Sequence, residues 1–582
     1  MIFLIMYMNY KYKRTNEISP VGTMHTTSLQ FQKNVMKRII IPALIIVFSG
    51  FCTRVSAQND FEIVKNVDIF INVLNELNDK YADEISPGEL TQTAIKAMLK
   101  SLDPYTVYYN EGEIETYRMM NAGESGDIDV TLKSIDKQMV VSDMVQEGPS
   151  AKAGLRVGDR ILSVNGQSSA NRSIDAIYLA MRGQPGSTYS VEVFRPTDNK
   201  NLTFKVKREK VKQPNIPYSG ILGDKVGYIK LNQFLEKAGS EVFDAFKQLK
   251  EEGMAYLIID LRDNGGGLLG EAVNIIDIFV DKDVTVVETK GKIAEMNRLY
   301  KTQNVAADPD IPIVVLVNEH SASASEIVSG TLQDLDRAVI VGQKSFGKGL
   351  VQKVYPMDYN TSMKITVSKY YIPSGRCVQN IEYFDRDTTK GGYKIPDSLA
   401  VAYKTKNGRT VYDKGGVEPD VVVPDEVQPD ILTALVEAQA IFDFANDYRA
   451  KHESIAEADK FVVDDAIYNE FLSFLNAKKF HYTTALEEAL EDLRTTAEGE
   501  KAFSKIQIAY NQLKTQVENL KTQDLTTYKD EIARALTQEI VSRYYYSAGK
   551  LINSLHHDRY IEEAKAVLLN PNRYQSILSP KK

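Results

Sequence analysis

The chain has 582 residues, which predicts about three to four domains at roughly 150 residues per domain. Hydrophobic residues make up 43% of it and charged residues 25%, a composition typical of globular and not of disordered proteins. The formal net charge of -8 leaves no basic excess for phosphate groups, which argues against a nucleic-acid binder. Two cysteines are too few for a scaffold built on disulfides.

The first recognisable pattern is an export signal. Residues 39–51 are apolar, basic side chains precede them, and Val55-Ser56-Ala57 supplies the small residues that a signal peptidase reads. The basic side chains are Lys33, Lys37 and Arg38. Because the apolar run is short for a transmembrane helix, we expect residues 1–57 to be an over-extended start and a cleaved signal peptide. An uncleaved anchor stays open as the alternative.

Two flanking parts of the chain show helical periodicity. In residues 58–122, apolar side chains recur on one face at helical spacing. They are Phe61, Val64, Val67, Phe70, Ile71, Leu74 and Leu77. Residues 429–582 are polar and rich in Tyr, with helical apolar faces over 506–520 and 532–545. We therefore expect a helical N-terminal part and a helical C-terminal extension.

Residues 123–212 differ from the helical parts on either end of the chain, because they consist of short β-rich runs between glycine turns, with one helix near 173–181. Residues 148–166 read Gly-Pro-Ser-Ala-Lys-Ala-Gly-Leu-Arg-Val-Gly-Asp-Arg-Ile-Leu-Ser-Val-Asn-Gly. This stretch resembles a PDZ domain, which binds peptide C-termini by adding the peptide as a strand to a sheet edge. A structural β-module without a ligand is the alternative. The resemblance implies these substrate-binding candidates: Gly126, Ile128, Val130 and Arg182.

Residues 213–428 alternate strand and helix patterns, an order that favours a layered α/β core. Strongly apolar runs predict buried strands at 255–261, 313–317 and 338–341. A helix is expected over 271–279, and another follows the second of these strands and ends near residue 332.

Three short segments of this region carry chemistry. Residues 260–267 end a buried strand, and their glycines let backbone N–H groups point into a site. Residues 318–327 contain Ser-Ala-Ser-Ala-Ser at a strand-to-helix junction, where free N–H donors and the positive end of a helix favour an oxyanion. Residues 342–352 hold a lysine between glycines, which can approach a serine closely. Burial would lower the pKa of that lysine enough for it to act as a base.

In this order, behind a PDZ-like domain and an export signal, the three segments resemble the C-terminal (tail-specific) processing peptidases. The resemblance covers roughly residues 60–428 and weakens in the C-terminal helical part. It implies a multidomain α/β protein with a peptidase core, an inserted PDZ domain and helical N- and C-terminal parts. Arg182 is then a candidate contact between the PDZ domain and the core, with a solvated surface arginine as the alternative.

The resemblance also implies a Ser–Lys dyad. Ser323, the middle serine of its run, corresponds to the nucleophile, and Lys348 of Phe-Gly-Lys-Gly corresponds to the general base. Gln352, four residues after the lysine, would orient it. The N–H groups of Gly266 and Ala324 would form the oxyanion hole.

Other catalytic groups fit less well. His320 lies three residues before the candidate nucleophile, on the approach loop, where a base would not be oriented. Lys344 is the alternative lysine, but it lacks flanking glycines. Neither His-Glu-x-x-His nor Cys-x-x-Cys spacing occurs, so a metal mechanism has no support.

These patterns predict an exported serine endopeptidase of the periplasm, which binds protein or peptide substrates by their C-terminal tails and cleaves them through an acyl-enzyme. No cofactor, metal or nucleic acid is expected. Attachment to the inner membrane through an uncleaved signal and a homo-oligomer both stay open. The alternative class is a catalytically silent, PDZ-based envelope scaffold, against which the intact Ser323, Lys348 and Gln352 argue.

Overall fold

The computed structural model describes residues 40–121, 128–211, 214–383, 392–413, 415–424, 426 and 428–580. It divides into two compact units between Ala94 and Ile95. The beginning of the expected signal region, residues 1–39, lies outside the described residues. Among the helices that the structure describes, none combines the length and apolarity needed to cross a membrane.

The N-terminal unit is helical. Helix α1 spans Ile40–Lys80, and helix α2, Pro87–Lys100, begins in this unit. The apolar residues that the sequence places on one face of α1 are largely exposed, including Phe61, Val64 and Val67. An amphipathic helix normally buries such a face, so α1 presents an apolar surface to solvent.

The second unit begins with a difference from the sequence-based expectation. Residues 107–109 form strand β1 (Val107–Tyr109), which was not predicted, and helix α3 (Glu111–Asn121) follows it within the expected helical part. Asp103 accepts the N–H groups of Tyr105 and Thr106, which turns the chain out of α2. Strand β1 then pairs antiparallel with residues 362–364 of the α/β region.

Residues 128–211 form the PDZ module. Its strands β2 to β7 are Val130–Ile135, Gln138–Met144, Arg160–Val164, Gln167–Ser168, Thr188–Arg195 and Lys200–Lys207. Its helices are α4 (Pro149–Ala153) and α5 (Ile174–Met181). The strand order is β2-β3-β4-β6-β7, with β5 on β4, so β2 lies at an edge. Alternate residues of β6 pack inward against Ile177 and Met181 of α5.

The α/β region, residues 214–424, contributes to a six-stranded sheet, a five-stranded sheet and two two-stranded sheets among the residues that the structure describes. Strands β8 to β21 are, in chain order, Tyr218–Ile221, Val226–Lys230, Tyr256–Asp260, Thr285–Lys290, Arg298–Lys301, Ile313–Val317, Val339–Gly342, Leu350–Pro356, Ser362–Tyr371, Ile381–Glu382, Tyr393–Lys394, Ala402–Lys404, Thr410–Tyr412 and Val421–Val422. Its helices α6 to α8 are Ala238–Glu251, Leu269–Asp277 and Ala324–Asp334.

The larger sheet has the order β21-β14-β13-β10-β9-β8 and is parallel except for β8. Its central strand β13 is buried at every position, as the run Ile-Val-Val-Leu-Val predicts. Leu257 and Ile259 of β10 pack on the side of α6 to α8, while Ile258 faces the opposite side.

The smaller sheet, with the order β1-β16-β11-β12 and with β15 on β16, was not predicted from the sequence. Its long strands β15 and β16 carry lysines among their apolar residues and are mostly half-buried. No apolar run therefore marks them in the sequence.

The C-terminal part is helical, as expected. Helices α9 to α16 are Asp430–Glu437, Ala440–Lys451, Asp465–Ala477, Ala485–Gly499, Phe503–Thr527, Lys529–Ser554, Arg559–Leu568 and Pro571–Ile577. Phe444, Phe471 and Leu536 belong to the core that α9, α10, α11 and α14 share. Helices α15 and α16 instead cover the second face of the larger sheet, because a parallel sheet must be shielded on both faces.

The PDZ module contacts this helical part through β2. The Lys133 ammonium donates to Gln439 Oε1 at 2.9 Å and lies 3.7 Å from the centroid of the Phe442 ring. Burial lowers the pKa of Lys133, which is consistent with a side chain held between the two parts.

Candidate active site

The three chemistry-bearing segments meet at the carboxyl ends of the parallel strands β10, β13 and β14. The Ala322 N–H donates to the Asn264 carbonyl at 3.0 Å, and the Ser325 hydroxyl donates to the same oxygen at 2.9 Å. The Phe346 N–H donates to the Ser321 carbonyl at 3.0 Å. Parallel strands end at one edge of the sheet, and this edge is where open α/β sheets place their sites.

Ser323 lies between β13 and α8 with φ 58° and ψ -113°. A positive φ is unfavourable for a residue with a Cβ atom, and such strain is concentrated at functional sites. Its N–H donates to Glu326 Oε2 at 2.8 Å, and its side chain is only partly buried.

The two neighbouring serines are used differently. The Ser321 hydroxyl donates to the Leu261 carbonyl at 2.8 Å and the Ser325 hydroxyl to the Asn264 carbonyl, and both side chains are fully buried. Both hydroxyls therefore satisfy backbone acceptors of the preceding turn, while Ser323 remains accessible from outside.

Gly266 lies directly against Ser323. A Cβ atom at Gly266, whose φ is +97°, would lie 2.8 Å from Ser323 Cβ and 2.9 Å from the Ala324 nitrogen. Ala324 begins α8, so its N–H has no partner within the helix. The Gly266 N–H, the second predicted oxyanion donor, donates here to Asn264 Oδ1 at 2.9 Å.

Lys348 is largely shielded from water. Its ammonium lies 4.3 Å from the centroid of the Tyr105 ring. Burial, and after it the positive charge of Lys364, lower the pKa of Lys348 to about 8, while Glu326 and Asp103 act in the opposite direction. A lysine with this pKa is partly neutral near neutral pH, as a general base must be.

Glu326 joins the two candidate catalytic segments, and the sequence reasoning missed it. Its Oε2 accepts the N–H groups of Ser323 and Lys348, both at 2.8 Å. Its Oε1 accepts the Gly347 N–H at 2.7 Å and the Ser345 hydroxyl at 2.6 Å. Burial raises the pKa of this carboxyl, and the four hydrogen bonds oppose that shift. The sequence feature that could have identified Glu326 is its position three residues after Ser323, the residue that precedes α8.

Tyr105 is a second residue that the sequence reasoning did not place in the site. Asp103, by binding the N–H of Tyr105 at 2.8 Å, fixes the loop that carries the ring. The Tyr105 ring also packs edge-on against Tyr383, with centroids 6.1 Å apart. Burial raises the pKa of the Tyr105 phenol, so this side chain stays neutral.

Gln352 lies on β15, where the pairing with β16 shifts register between Val351 and Gln352. Its amide donates to Thr366 Oγ1 at 3.2 Å. Within the described part of the chain, no hydrogen bond joins Lys348 to Ser323 or to Gln352. The structure thus brings these segments together without closing the Ser–Lys contact, a looseness common in unliganded catalytic sites.

The residues predicted to bind substrate in the PDZ groove differ from one another in their burial. Gly126 lies outside the described residues. Val130 is buried in the PDZ core and Ile128 is half-buried against it, so β2 offers its backbone there. Arg182 is exposed at the end of α5, where its backbone N–H donates to the Tyr178 carbonyl. Asp129 is turned inward, because its carboxylate accepts the Ser150 N–H at 2.7 Å.

The competing bases point away from the site. His320 is exposed and faces Glu319 at 3.6 Å. The ammonium of Lys344 lies 3.5 Å from Glu418. Across the residues that the structure describes, no group of three or more His, Cys, Asp or Glu side chains is arranged to hold a metal ion.

Three family models match the chain. Peptidase family S41 matches residues 225–389, a PDZ domain matches 126–207, and the C-terminal helical domain of a probable PDZ-protease matches 431–568.

Relatives agree with these matches. A carboxy-terminal-processing protease of Bartonella bacilliformis is 32% identical over 59% of this chain and 79% of the relative. A probable CtpA-like serine protease of Staphylococcus aureus is 33% identical over 61% of this chain and 71% of the relative. Among solved structures, a photosystem II D1 C-terminal processing protease is 26% identical and covers 62% of this chain and 93% of its own, with a TM-score of 0.35.

The fold, the domain matches and these relatives define a serine-type peptidase that carries a PDZ domain. The chain belongs to peptidase family S41, and its relatives are carboxy-terminal-processing proteases. Its substrates are therefore proteins or peptides, and none of these matches favours the catalytically silent scaffold.

Proposed function

We propose that Ser323 and Lys348 form the catalytic dyad of an exported carboxy-terminal-processing peptidase. The observation that carries the proposal is that Glu326 Oε2 accepts hydrogen bonds from the backbone N–H groups of both residues. These two hydrogen bonds fix the backbones of the two segments against each other. The lowered pKa of Lys348, about 8, supports its role as a base.

The reaction follows from these groups. Neutral Lys348 removes the proton from Ser323 Oγ, which attacks the scissile carbonyl carbon and forms a C–O bond. The Ala324 N–H, with the Gly266 N–H once it leaves Asn264, binds the oxyanion. When the C–N bond breaks, protonated Lys348 gives its proton to the leaving amine, and water then hydrolyses the acyl-enzyme. In this proposal Gln352 orients the lysine once its amide leaves Thr366.

The position of Lys348 over Tyr105 explains how the dyad is released. A cation over an aromatic face is attracted by the electron density of the ring, and this attraction requires the protonated ammonium. Loss of the proton removes the attraction and leaves a neutral amine free to turn toward Ser323.

We also propose that the PDZ module reads C-terminal tails. Support comes from β2, which ends the sheet and presents its backbone for strand addition. Because Asp129 points toward Ser150, its charge does not oppose a tail carboxylate. In this proposal Ile128 and Val130 contribute backbone groups to tail binding, and Arg182 links tail binding to the core; the part of Gly126 in carboxylate binding stays a prediction from the sequence.

One unfolded substrate, prepared with three C-termini, tests tail reading. The ends are a free apolar carboxylate, the same end amidated, and Asp-Asp. We expect the full chain to cut the free apolar form fastest and a chain without residues 123–212 to lose that preference. Equal cleavage of all three by the full chain would disprove tail reading, while absence of cleavage in Ser323→Ala controls for contaminating proteases.

We propose export to the periplasm with cleavage after Ala57. The signal-like pattern of the sequence supports this, and N-terminal sequencing of the fractionated protein tests it. A periplasmic protein beginning at Gln58 is the expected result. A cytoplasmic protein, or one that keeps residues 39–51 and remains in the membrane fraction, would contradict it.

We further propose that the chain forms a homo-oligomer through α1. The exposed apolar side chains of α1, among them Val64 and Val67, support an interface there. Val67→Glu should shift the protein toward the monomer in sedimentation velocity, and Lys65→Glu on the same helix is the matched control. Identical sedimentation of both variants and the parent would remove α1 as the interface.

A further inference from the structure

The groove of the PDZ module contains a contact that a tail-binding edge would not be expected to have. Strand β2 is the last strand of its sheet, and α5 lies beside its open edge. The Leu132 N–H, on that edge, donates to the hydroxyl of Tyr178 on α5 at 2.8 Å. The module therefore satisfies a backbone donor of its own edge strand with a side chain.

A peptide that adds to β2 as a strand needs this same donor. Strand addition works by pairing the free N–H and C=O groups of the edge with the backbone of the peptide. A backbone N–H supplies one donor, so the Tyr178 hydroxyl and a peptide carbonyl compete for Leu132. The phenol oxygen also occupies the place between β2 and α5 where the peptide backbone would lie.

The strand itself is not free to move away from Tyr178. The next residue, Lys133, is held by Gln439 at 2.9 Å and by the Phe442 ring at 3.7 Å in the C-terminal helical part. Tyr178 is less constrained, because its side chain is only partly buried against the PDZ core. The group that yields to a peptide is therefore Tyr178.

We propose that Tyr178 is a displaceable plug of the tail-binding groove, which competes with substrate tails for the Leu132 N–H and so lowers their affinity. This inference rests on the proposed tail reading by the PDZ module. The plug sets a threshold of affinity for tail binding. Chain ends that form few backbone hydrogen bonds with β2 do not displace the Tyr178 hydroxyl, while tails that pair with β2 along their whole length do. Tyr178 is thus a specificity residue and not a catalytic one.

Removal of one oxygen tests the plug. Binding of a short fluorescein-labelled peptide with an apolar C-terminus and a free carboxylate is measured by anisotropy, on the full chain carrying Ser323→Ala so that the probe is not cut. In that background Tyr178→Phe should bind the peptide about three- to tenfold more tightly, the size of one ordinary hydrogen bond removed from the free state. Tyr189→Phe, which removes a hydroxyl that meets Ser150 at 3.3 Å inside the same module, should leave the affinity unchanged.

Hydrogen exchange of residues 130–135 supplies an independent readout. The Leu132 amide should exchange faster in Tyr178→Phe than in the parent and regain protection when the peptide is added. Unchanged peptide affinity in Tyr178→Phe would show that the hydroxyl has no part in tail binding. Weaker affinity would show that the hydroxyl binds the tail directly. Either result would contradict the proposed competition for the Leu132 N–H. If neither protein prefers the free carboxylate over an amidated peptide, tail reading itself fails, which is a separate result.

Discussion

Glu326 Oε2 lies 2.8 Å from the backbone nitrogen of Lys348 and accepts its N–H. The same oxygen accepts the N–H of Ser323, so one buried carboxylate sets the spacing between the candidate nucleophile and the candidate base. Ser323 and Lys348 are 25 positions apart in the chain; Ser323 lies in the connection from β13 to α8 and Lys348 in the connection from β14 to β15. Without Glu326, a fixed distance between Ser323 and Lys348 would depend on two independent loops.

Replacement of Glu326 tests this arrangement. In Glu326→Gln, one of the two oxygens becomes an NH2 group that cannot accept the N–H groups it faces, so two buried donors lose their partner. We expect kcat/KM to fall about 100-fold or more, and the free energy of unfolding to fall by about 1–3 kcal/mol. Urea unfolding and steady-state kinetics measure the two effects.

Glu319→Gln is the control, because this glutamate is exposed on the approach loop. It should change neither quantity. If Glu326→Gln kept parental activity while losing stability, Glu326 would be a structural residue with no part in positioning the dyad.

The serine run provides a comparison within five residues. Ser323→Ala should abolish proteolysis with little effect on stability, since only one oxygen of a partly exposed side chain is lost. Ser321→Ala and Ser325→Ala should each lower the free energy of unfolding by about 1 kcal/mol, because each removes a buried hydrogen bond to a carbonyl, while retaining much of the activity. An inactive Ser321→Ala and an active Ser323→Ala would show that a different serine is the nucleophile.

The glycine turn after β10 can be tested with an internal control. In Gly266→Ala the new methyl group would lie 2.8 Å from Ser323 Cβ and 2.7 Å from the Ala322 carbonyl oxygen, and φ is +97°. We expect strain at the nucleophile and displacement of the Gly266 N–H from its position as oxyanion donor, with kcat reduced at least 100-fold. Gly265→Ala, one residue earlier, meets nothing within 4 Å and should be nearly as active as the parent. Equal effects of the two substitutions on kcat would argue against a role of Gly266 in the oxyanion hole.

A buried charge network below this turn makes stability depend on pH. Asp260 is fully buried; burial alone would raise its pKa, but the nearby charges of Arg262 and Lys230 hold it well below its ordinary value. Because the folded pKa is lowered, the stabilisation is present above the unfolded pKa of about 3.9 and is lost as pH falls through the folded pKa.

Asp260→Asn removes the negative charge that Lys230 and Arg262 share, although Arg262 keeps Asp558 as a partner, and should lower the free energy of unfolding at neutral pH by about 3–5 kcal/mol. The variant should also lose less stability than the parent when the pH is lowered from about 7 to 3. Parallel curves of stability against pH for the two proteins would show that Asp260 does not carry the acid sensitivity.

Much of the fold was readable from local patterns. The run 313–317 is strand β13 with the expected bounds, and residues 174–181 form the one helix predicted within the PDZ module. These elements are marked by burial on both faces or by a clear cap, Ser173, whose side chain accepts the Ala176 N–H. Family resemblance supplied the class of enzyme, and the S41 and PDZ matches confirm it.

The parts that were missed depend on contacts between distant residues. Strand β1 pairs with a partner more than 250 positions away, and α15 covers the larger sheet, whose strands lie between residues 218 and 422. Glu326 and Tyr105 acquire their roles only when separate loops meet at Lys348. Periodicity and spacing report what each segment can form, and they contain no information about which loops become neighbours.

The neighbour Lys364 gives a graded test of the base. Its positive charge contributes to the lowered pKa of Lys348, so Lys364→Gln should raise that pKa and Lys364→Glu should raise it further. The midpoint of the activity profile should move to higher pH in the same order. Lys369→Gln, on the same strand but facing Glu382 at 3.1 Å, is the control and should leave the midpoint in place.

The most direct test of the Ser323–Lys348 mechanism is the pH dependence of kcat/KM for the unmodified enzyme between about pH 6 and 10. Burial lowers the pKa of Lys348 to about 8, so we predict a single rise with a midpoint near that pH and a plateau above it. The activity must be carried by the neutral amine, and Lys348→Arg should therefore be inactive throughout the range, because arginine does not lose its proton there. A flat profile, or an active Lys348→Arg enzyme, would contradict the assignment of Lys348 as the general base.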